Sequence, residues 1–139
     1  MNNYVKYNPN DKKNRAGDCV IRALCKALDK SWLEVFDLLV EEARKQQDVP
    51  NSREVYEQVL LNHGFVYNKI SNARGTRRPR VSEMAKQATS PIVMNVANHV
   101  VTACDGKYYD LWDSGNKCLY GYYTKGECHE SHERVRFYL

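Results

Sequence analysis

The sequence is organised around residues 17–24, Gly-Asp-Cys-Val-Ile-Arg-Ala-Leu, where a turn-forming pair precedes a cysteine and apolar residues follow at helical spacing. Asp18 is a favourable N-cap residue, so a helix is predicted to begin there. Cys19 then lies in the first turn, where unpaired backbone N–H groups and the helix macrodipole lower the pKa of a thiol below the roughly 8.5 of free cysteine. The sequence predicts a reactive thiol at this position.

A second stretch, residues 98–113, has chemistry that complements the cysteine. It reads Asn-His-Val-Val-Thr-Ala-Cys-Asp-Gly-Lys-Tyr-Tyr-Asp-Leu-Trp-Asp, with a histidine opening one predicted strand and two acids on the next. Cysteine, histidine and carboxylate are the nucleophile, the base and the group that orients the base in covalent catalysis. The candidates are Cys19 and His99 together with either Asp110 or Asp113.

The register of the predicted hairpin decides between the two acids. A two-residue type I′ turn at Asp105 and Gly106 places Asp110 on the same face as His99. A three-residue loop over residues 104–106 instead brings Asp113 diagonally across from His99. Both registers are compatible with the residue pattern.

Composition limits the class of protein. A chain of 139 residues with 42% hydrophobic residues predicts one domain, residues 1–139, and a net charge of +4 from mixed charges does not by itself indicate nucleic acid or an anionic membrane. Residues 1–7 lack a signal-peptide pattern and no apolar run could span a bilayer, so we expect a cytoplasmic protein without membrane contact. Five irregularly spaced cysteines predict free thiols, with Cys25 buried in the first helix.

The order of predicted elements indicates an α+β fold. Residues 1–16 are expected to form an irregular polar arm, and three helices follow: one from Asp18, one capped by Ser31 with Glu34, and one capped by Asn51 or Ser52. A short strand at 65–70 and a short helix at 81–87 precede five predicted strands, at residues 92–96, 99–104, 107–112, 117–123 and 134–139. We expect N-terminal helices packed on one face of a C-terminal antiparallel sheet.

Four arginines occur within seven residues, at Arg74, Arg77, Arg78 and Arg80. The simplest interpretation is a solvated loop, and the alternative is a binding site for a carboxylate-rich or phosphate-rich partner. We do not expect nucleic acid as the partner, although this loop keeps that alternative open.

Potential metal ligands occur near the C-terminus, at Cys118, Cys128, His129 and His132. Their irregular spacing fits no standard zinc module, so a solvated loop is expected there. We predict no metal site and no cofactor.

Four short motifs together resemble one family. They are Asn-Pro-Asn at residues 8–10, Gly-Asp-Cys-Val-Ile-Arg-Ala at 17–23, His-Val-Val at 99–101, and Tyr-Tyr-Asp-Leu-Trp-Asp-Ser-Gly at 108–115. In this combination the chain resembles papain-like cysteine peptidases, and within them short phage and prophage proteins. The resemblance extends over most of the chain and implies the papain-like cysteine protease fold.

The resemblance also implies roles for individual residues. Cys19 is the implied nucleophile, His99 the base and Asp113 the preferred orienting acid, because papain-like enzymes carry an Asn or Asp at this strand end. The neighbouring Trp112, and Asp110, are counted with the binding residues. The glutamine that would donate to the oxyanion is replaced by Lys13, so the donor is expected to be Asn14 or a backbone N–H group.

Two functions remain open at this level. The first is a thiol hydrolase, meaning a peptidase, amidase or acyl transferase, that acts on a protein or peptide of the host or the phage. The second is a non-catalytic binding protein on the same fold, an anti-defence or host-takeover factor, that engages an anionic partner through its cleft and the arginine loop. The bond that is cleaved is not predicted, because specificity depends on the shape of the pocket.

Overall fold

The computed structural model describes residues 2–14, 16–71 and 77–126. This part of the chain forms an α+β fold with four helices and a six-stranded mixed sheet. The helices are α1 (Cys19–Leu28), α2 (Trp32–Gln46), α3 (Arg53–Asn62) and α4 (Val81–Gln87). The strands are β1 (Tyr4–Lys6), β2 (Phe65–Lys69), β3 (Ile92–Val96), β4 (His99–Cys104), β5 (Lys107–Asp110) and β6 (Gly121–Lys125). The predicted strand 134–139 lies outside the described residues.

Side-chain caps define where two of the helices begin. Ser31 Oγ accepts from the backbone N–H of Glu34 at 3.2 Å, and Glu34 Oε1 accepts from that of Ser31 at 2.8 Å, which confirms the predicted capping box of α2. Ser52 Oγ accepts from the N–H of Val55 and caps α3. None of the described helices is both long and apolar enough to cross a membrane.

The sheet has the strand order β1-β5-β4-β3-β6-β2 and is antiparallel except at one edge. There β1 pairs in parallel with β5, with Tyr4 opposite Tyr108. The predictions of a purely antiparallel sheet and of an irregular arm over residues 1–16 are therefore wrong at this edge. A strand of three residues is too short to show a period of two, and only its pairing with β5 defines it.

The turn between β4 and β5 fixes the register near the candidate site. Asp105 and Gly106 both have positive φ, 53° and 81°, and Cys104 pairs directly with Lys107. This is the two-residue turn, since type I′ needs two left-handed residues. The three-residue loop that would favour Asp113 is wrong.

Helices cover both faces of the sheet. The core under α1, α2 and α3 contains Val93, Val100 and Tyr123, whereas the core on the opposite face, under α4, contains Met94 and Tyr122. The expectation that all helices lie on one face is wrong for α4. Strand β3 is buried along its whole length because both faces are covered.

The last described strand begins later than the sequence pattern indicates. The predicted strand 117–123 is replaced by β6 at Gly121–Lys125, and Cys118 makes only an isolated bridge with Arg80. Strand β5 likewise ends at Asp110, so Leu111 and Trp112 lie beyond it. The chain can therefore turn at the end of β5, where the candidate site is located.

Candidate active site

Cys19 is the first residue of α1, and Asp18 occupies the N-cap position. The side chain of Asp18 does not cap the helix as predicted. Its carboxylate instead accepts from Arg22 Nη1 at 2.5 Å and from Trp32 Nε1 of α2 at 2.8 Å. These two donors hold the buried carboxylate, so the helix start keeps its N–H groups free of a side-chain acceptor.

His99 and Asp110 meet where β4 begins and β5 ends. The distance from His99 Nε2 to Asp110 Oδ2 is 2.6 Å, and both side chains are buried. Asp110 also accepts from Ser114 Oγ at 2.6 Å and from the backbone N–H of Leu111 at 2.8 Å. The carboxylate is thus fixed against the imidazole ring.

Asp113, the predicted orienting acid, lies elsewhere. Its Oδ1 accepts from the hydroxyl of Tyr108 at 2.5 Å and from the N–H of Gly115 at 3.0 Å, and these bonds lower the pKa of the carboxyl group. The prediction that Asp113 contacts His99 is wrong, because the two-residue turn shifts β5 and gives that position to Asp110. Asp113 instead helps to shape the turn after β5.

His99 contacts Asp110 on one side of its ring and the thiol of Cys19 on the other. Burial alone would raise the pKa of Cys19, but the hydrogen bond and charge of His99, the N–H of Val100 and the charge of Arg22 together lower it. Burial alone would lower the pKa of His99, but hydrogen bonds with Asp110 and Cys19 raise it to about 9. Because Nε2 is bonded to Asp110, Nδ1 is the ring atom left for the thiol.

Arg22 connects the two acids of the site and was not predicted from the sequence. Its Nη1 binds Asp18 and its Nη2 lies 3.2 Å from Asp110 Oδ1, with the residue only 4% exposed. Its positive charge offsets that of Asp18, which would otherwise oppose a thiolate at Cys19. The available signal was an aspartate and an arginine four residues apart on a helix that also carries the cysteine.

Trp112 covers the histidine from outside. The two ring centroids are 4.7 Å apart with an interplanar angle of 36°, and the indole is 43% exposed. Trp112 follows β5 by two residues, so the turn after Asp110 places it over the ring. The indole reduces the access of water to the bond between His99 and Asp110, which strengthens that bond.

Donors for an oxyanion are present at the start of α1. The backbone N–H groups of Cys19 and Val20 belong to the first turn, where an α-helix offers them no partner within the helix. Asn14 is exposed in the segment between β1 and α1, and a role for its amide stays a prediction. Main-chain donors beside the nucleophile are the usual basis of an oxyanion hole.

A cleft of about 420 Å³ opens next to the thiol. Cys19 and His99 form part of its wall, which is completed by Arg53 and Tyr56 of α3, by Asn95 of β3, and by Asn51 just before α3. Sequence analysis did not identify these residues, because they come from two elements distant along the chain from the cysteine. The cleft therefore gives access to Cys19 from this side.

The arginine loop is partly paired within the protein. Arg77 forms a double hydrogen bond with the carboxylate of Glu83, at 2.8 and 2.7 Å, and holds the pKa of that carboxyl at about 2. The backbone N–H of Arg80 donates to the same carboxylate, and Arg78 lies over the ring of Tyr120. Arg74 lies outside the described residues. An anionic partner for this loop stays a prediction.

Within residues 2–14, 16–71 and 77–126, no three His, Cys, Asp or Glu side chains are grouped so that they could hold a metal ion. Cys118 is exposed in this part of the chain. Cys128, His129 and His132 lie outside it.

Comparisons with protein-family models, with curated proteins and with solved structures gave no match. The chemistry of the site therefore has to be argued from its own geometry.

Proposed function

We propose that this protein is a thiol hydrolase or acyl transferase of the papain-like type, with Cys19 as nucleophile, His99 as base and Asp110 as the acid that orients the base. The observation that carries the proposal is the series that runs from the half-buried Cys19 through the buried His99 to the buried Asp110. A cysteine at a helix start and a histidine and acid on adjacent strands also favour the papain-like fold. A fold with this active centre suits a protein or peptide substrate.

The charges of the pair favour a thiolate and an imidazolium before substrate binds. The pKa of the thiol is lowered and that of His99 is raised to about 9, which shifts the proton from the sulfur toward the imidazole. The sulfur attacks the carbonyl carbon, and the oxyanion that forms is held by N–H groups at the start of α1. The imidazolium then gives its proton to the leaving group, which departs as a thioester forms.

The second half of the reaction restores the enzyme. Neutral His99 takes a proton from water, or from an acceptor alcohol or amine, as that nucleophile attacks the thioester carbonyl. The carbon–sulfur bond breaks and the thiolate is regenerated beside the imidazolium. Asp110 keeps Nε2 as the protonated nitrogen throughout, so that Nδ1 carries the moving proton.

Limited alkylation tests the assignment of the nucleophile. With iodoacetamide at limiting dose near pH 6, Cys19 should be labelled before the other four cysteines, as mapped by peptide mass spectrometry. In the His99→Ala variant the labelling of Cys19 should slow by about tenfold, and its rate should rise with pH where the wild-type rate is flat.

Two outcomes would contradict the proposal. One is faster labelling of Cys104 or Cys118 while Cys19 stays inert. The other is an unchanged rate at Cys19 after removal of His99. Either outcome would favour a protein that binds its target through the cleft without using the thiol.

A further inference from the structure

Asn95 is a buried polar residue that the proposed chemistry does not use. It lies on β3 opposite Val100, the strand neighbour whose N–H faces the Cys19 thiol, and it contributes to the wall of the cleft. The residue is only 7% exposed, and its Nδ2 donates to the hydroxyl of Tyr56 at 3.1 Å. Asn95 thus lies on the floor of the cleft beside the thiol.

The other end of the same amide has no partner of its own. Among the residues that the structure describes, none donates to the buried Oδ1 of Asn95. Such orphaned buried acceptors are few in native proteins, and a functional role is one of the explanations for them. The atom is buried, so a donor has to be inserted at the floor of the cleft to reach it.

Tyr56 offers the complementary group. Its oxygen accepts the hydrogen bond from Asn95, so that bond does not use the hydroxyl proton. The hydroxyl lies close enough to Cys19 for the charge of the thiolate to raise the pKa of Tyr56, after the larger effect of burial. The pair therefore presents one donor and one acceptor side by side next to the nucleophile.

A primary or secondary amide is the group that matches this arrangement. Its carbonyl oxygen can accept from Tyr56 while its N–H donates to Asn95 Oδ1. A carboxylate has no donor for that oxygen, and an alkyl group leaves both polar groups unpaired.

The arginine at the edge of the cleft does not change this conclusion. Arg53 lies 4.6 Å from the ring centroid of Tyr67, and its Nη2 is 3.8 Å from the carboxylate of Glu57. Its charge is already shared with Glu57, so a second carboxylate gains less from it. Asn51 and Asn98, exposed at the rim, add further amides rather than charges.

We propose that Asn95 and Tyr56 form a substrate-binding subsite that selects an amide, such as the side chain of glutamine or asparagine, in the acyl part of the substrate. The proposal rests on the proposed thiol chemistry and adds a class of substrate to it. It predicts that specificity comes from two hydrogen bonds at the floor of the cleft.

Matched electrophilic probes test this preference. A set of dipeptidyl chloromethyl ketones carries glutamine, glutamate or norleucine at each of the two positions in turn, and intact-protein mass spectrometry follows alkylation of Cys19. At one of the two positions, the probe with glutamine should react at least about tenfold faster than the probes with glutamate or norleucine. Each of those two side chains leaves a buried polar group of the protein unpaired.

Two variants test whether Asn95 and Tyr56 are the residues that cause the preference for glutamine. Asn95→Leu has a side chain of similar size without polar atoms, and the glutamine probe should lose its advantage over norleucine. Tyr56→Phe removes only the hydroxyl and should reduce the advantage by several fold. Each rate is divided by the iodoacetamide rate of the same variant, and circular dichroism verifies folding.

The controls separate this proposal from the thiol chemistry. If iodoacetamide labels Cys19 quickly and the probes show no preference, or glutamate reacts fastest, the amide subsite is wrong and the nucleophile stands. A preference for glutamine that persists in both variants would also overturn it. If Cys19 is inert to iodoacetamide, the proposed function fails first.

Discussion

The two cysteines of helix α1 experience opposite environments although they lie less than two turns apart. Cys19 opens the helix, faces His99 and borders the cleft, and the pKa of its thiol is lowered. Cys25 is buried, and burial together with the charges of Asp18 and Glu34 raises the pKa of its thiol to about 12. The same side chain on the same helix therefore has a lowered pKa at one position and a raised pKa at the other.

The comparison shows that the position of Cys19 at the helix start does not by itself account for its lowered pKa. Both sulfurs are substantially buried, and burial raises the pKa of each. Only Cys19 has an imidazolium beside it, and only there does Arg22 oppose the charge of Asp18.

Replacing Arg22 with Gln should have the largest effect. The change leaves the buried carboxylates of Asp18 and Asp110 without their shared cation, which typically costs about 3–5 kcal/mol of stability. Chemical denaturation measures this loss. Arg22→Lys serves as a charge-conserving comparison, and it should recover only part of the stability because an ammonium cannot bridge both carboxylates in the same planar geometry.

The same variant also tests the contrast between the thiols. Where enough Arg22→Gln protein folds, Cys19 should react more slowly with iodoacetamide near pH 6, because the charge of Asp18 is no longer offset. An Arg22→Gln protein as stable as the wild type, with Cys19 equally reactive, would show that Arg22 is not what distinguishes the two ends of α1.

Replacing Asp110 with Asn should have the next largest effect, and Asp113→Asn is its matched control. Without the carboxylate at Nε2, the pKa of His99 should fall from about 9 to its ordinary value of 6.5 or below. A fall of about 2.5 units corresponds to roughly 3 kcal/mol of lost interaction with the imidazolium. Nuclear magnetic resonance titration of the ring protons measures it directly.

In Asp113→Asn the pKa of His99 should stay near the wild-type value, because that carboxylate binds Tyr108 and Gly115. A large shift in Asp113→Asn and none in Asp110→Asn would contradict the geometry of the site. The pKa of His99 in the two variants thus tests the register of the β4–β5 hairpin.

The choice between these two acids also marks how far the sequence could predict the site. Cys19 and His99 were recognised because a helix start and a strand start are local patterns. The orienting acid depended on the turn at Asp105 and Gly106, where a difference of one residue in loop length moves every later side chain to the other face. Sequence left both registers open, and the resemblance favoured the wrong one.

Long-range features of the site were beyond sequence reasoning for a related reason. The helices and their caps at Ser31 and Ser52 follow from residues three or four apart, and most were predicted. The edge strand β1, the position of Arg22 between Asp18 and Asp110, and the pairing of Asn95 with Tyr56 each join segments far apart in sequence. Such groups come together only in the folded structure, and no periodic pattern in the sequence predicts these contacts.

Replacing Cys19 with Ser should have the smallest effect, on the pH dependence of stability. In the wild type the raised pKa of His99 contributes stability that is lost as pH rises from 6.5 through about 9. The lowered pKa of Cys19 contributes stability that is gained as pH rises toward the ordinary thiol pKa of 9.0. The two effects have opposite signs, so each offsets part of the other.

Cys19→Ser removes only the thiol side of this balance. The imidazolium is still held by Asp110, so the variant should lose roughly 1 kcal/mol more than the wild type between pH 6.5 and 9. Thermal unfolding at half-unit steps of pH compares the two proteins, and Cys25→Ser controls for loss of a thiol that stays protonated in the folded state below about 12. Parallel curves for the wild type and Cys19→Ser would show that the proton does not move from sulfur to nitrogen on folding. The ion pair, and with it the difference between the two cysteines of α1, would then have to be abandoned.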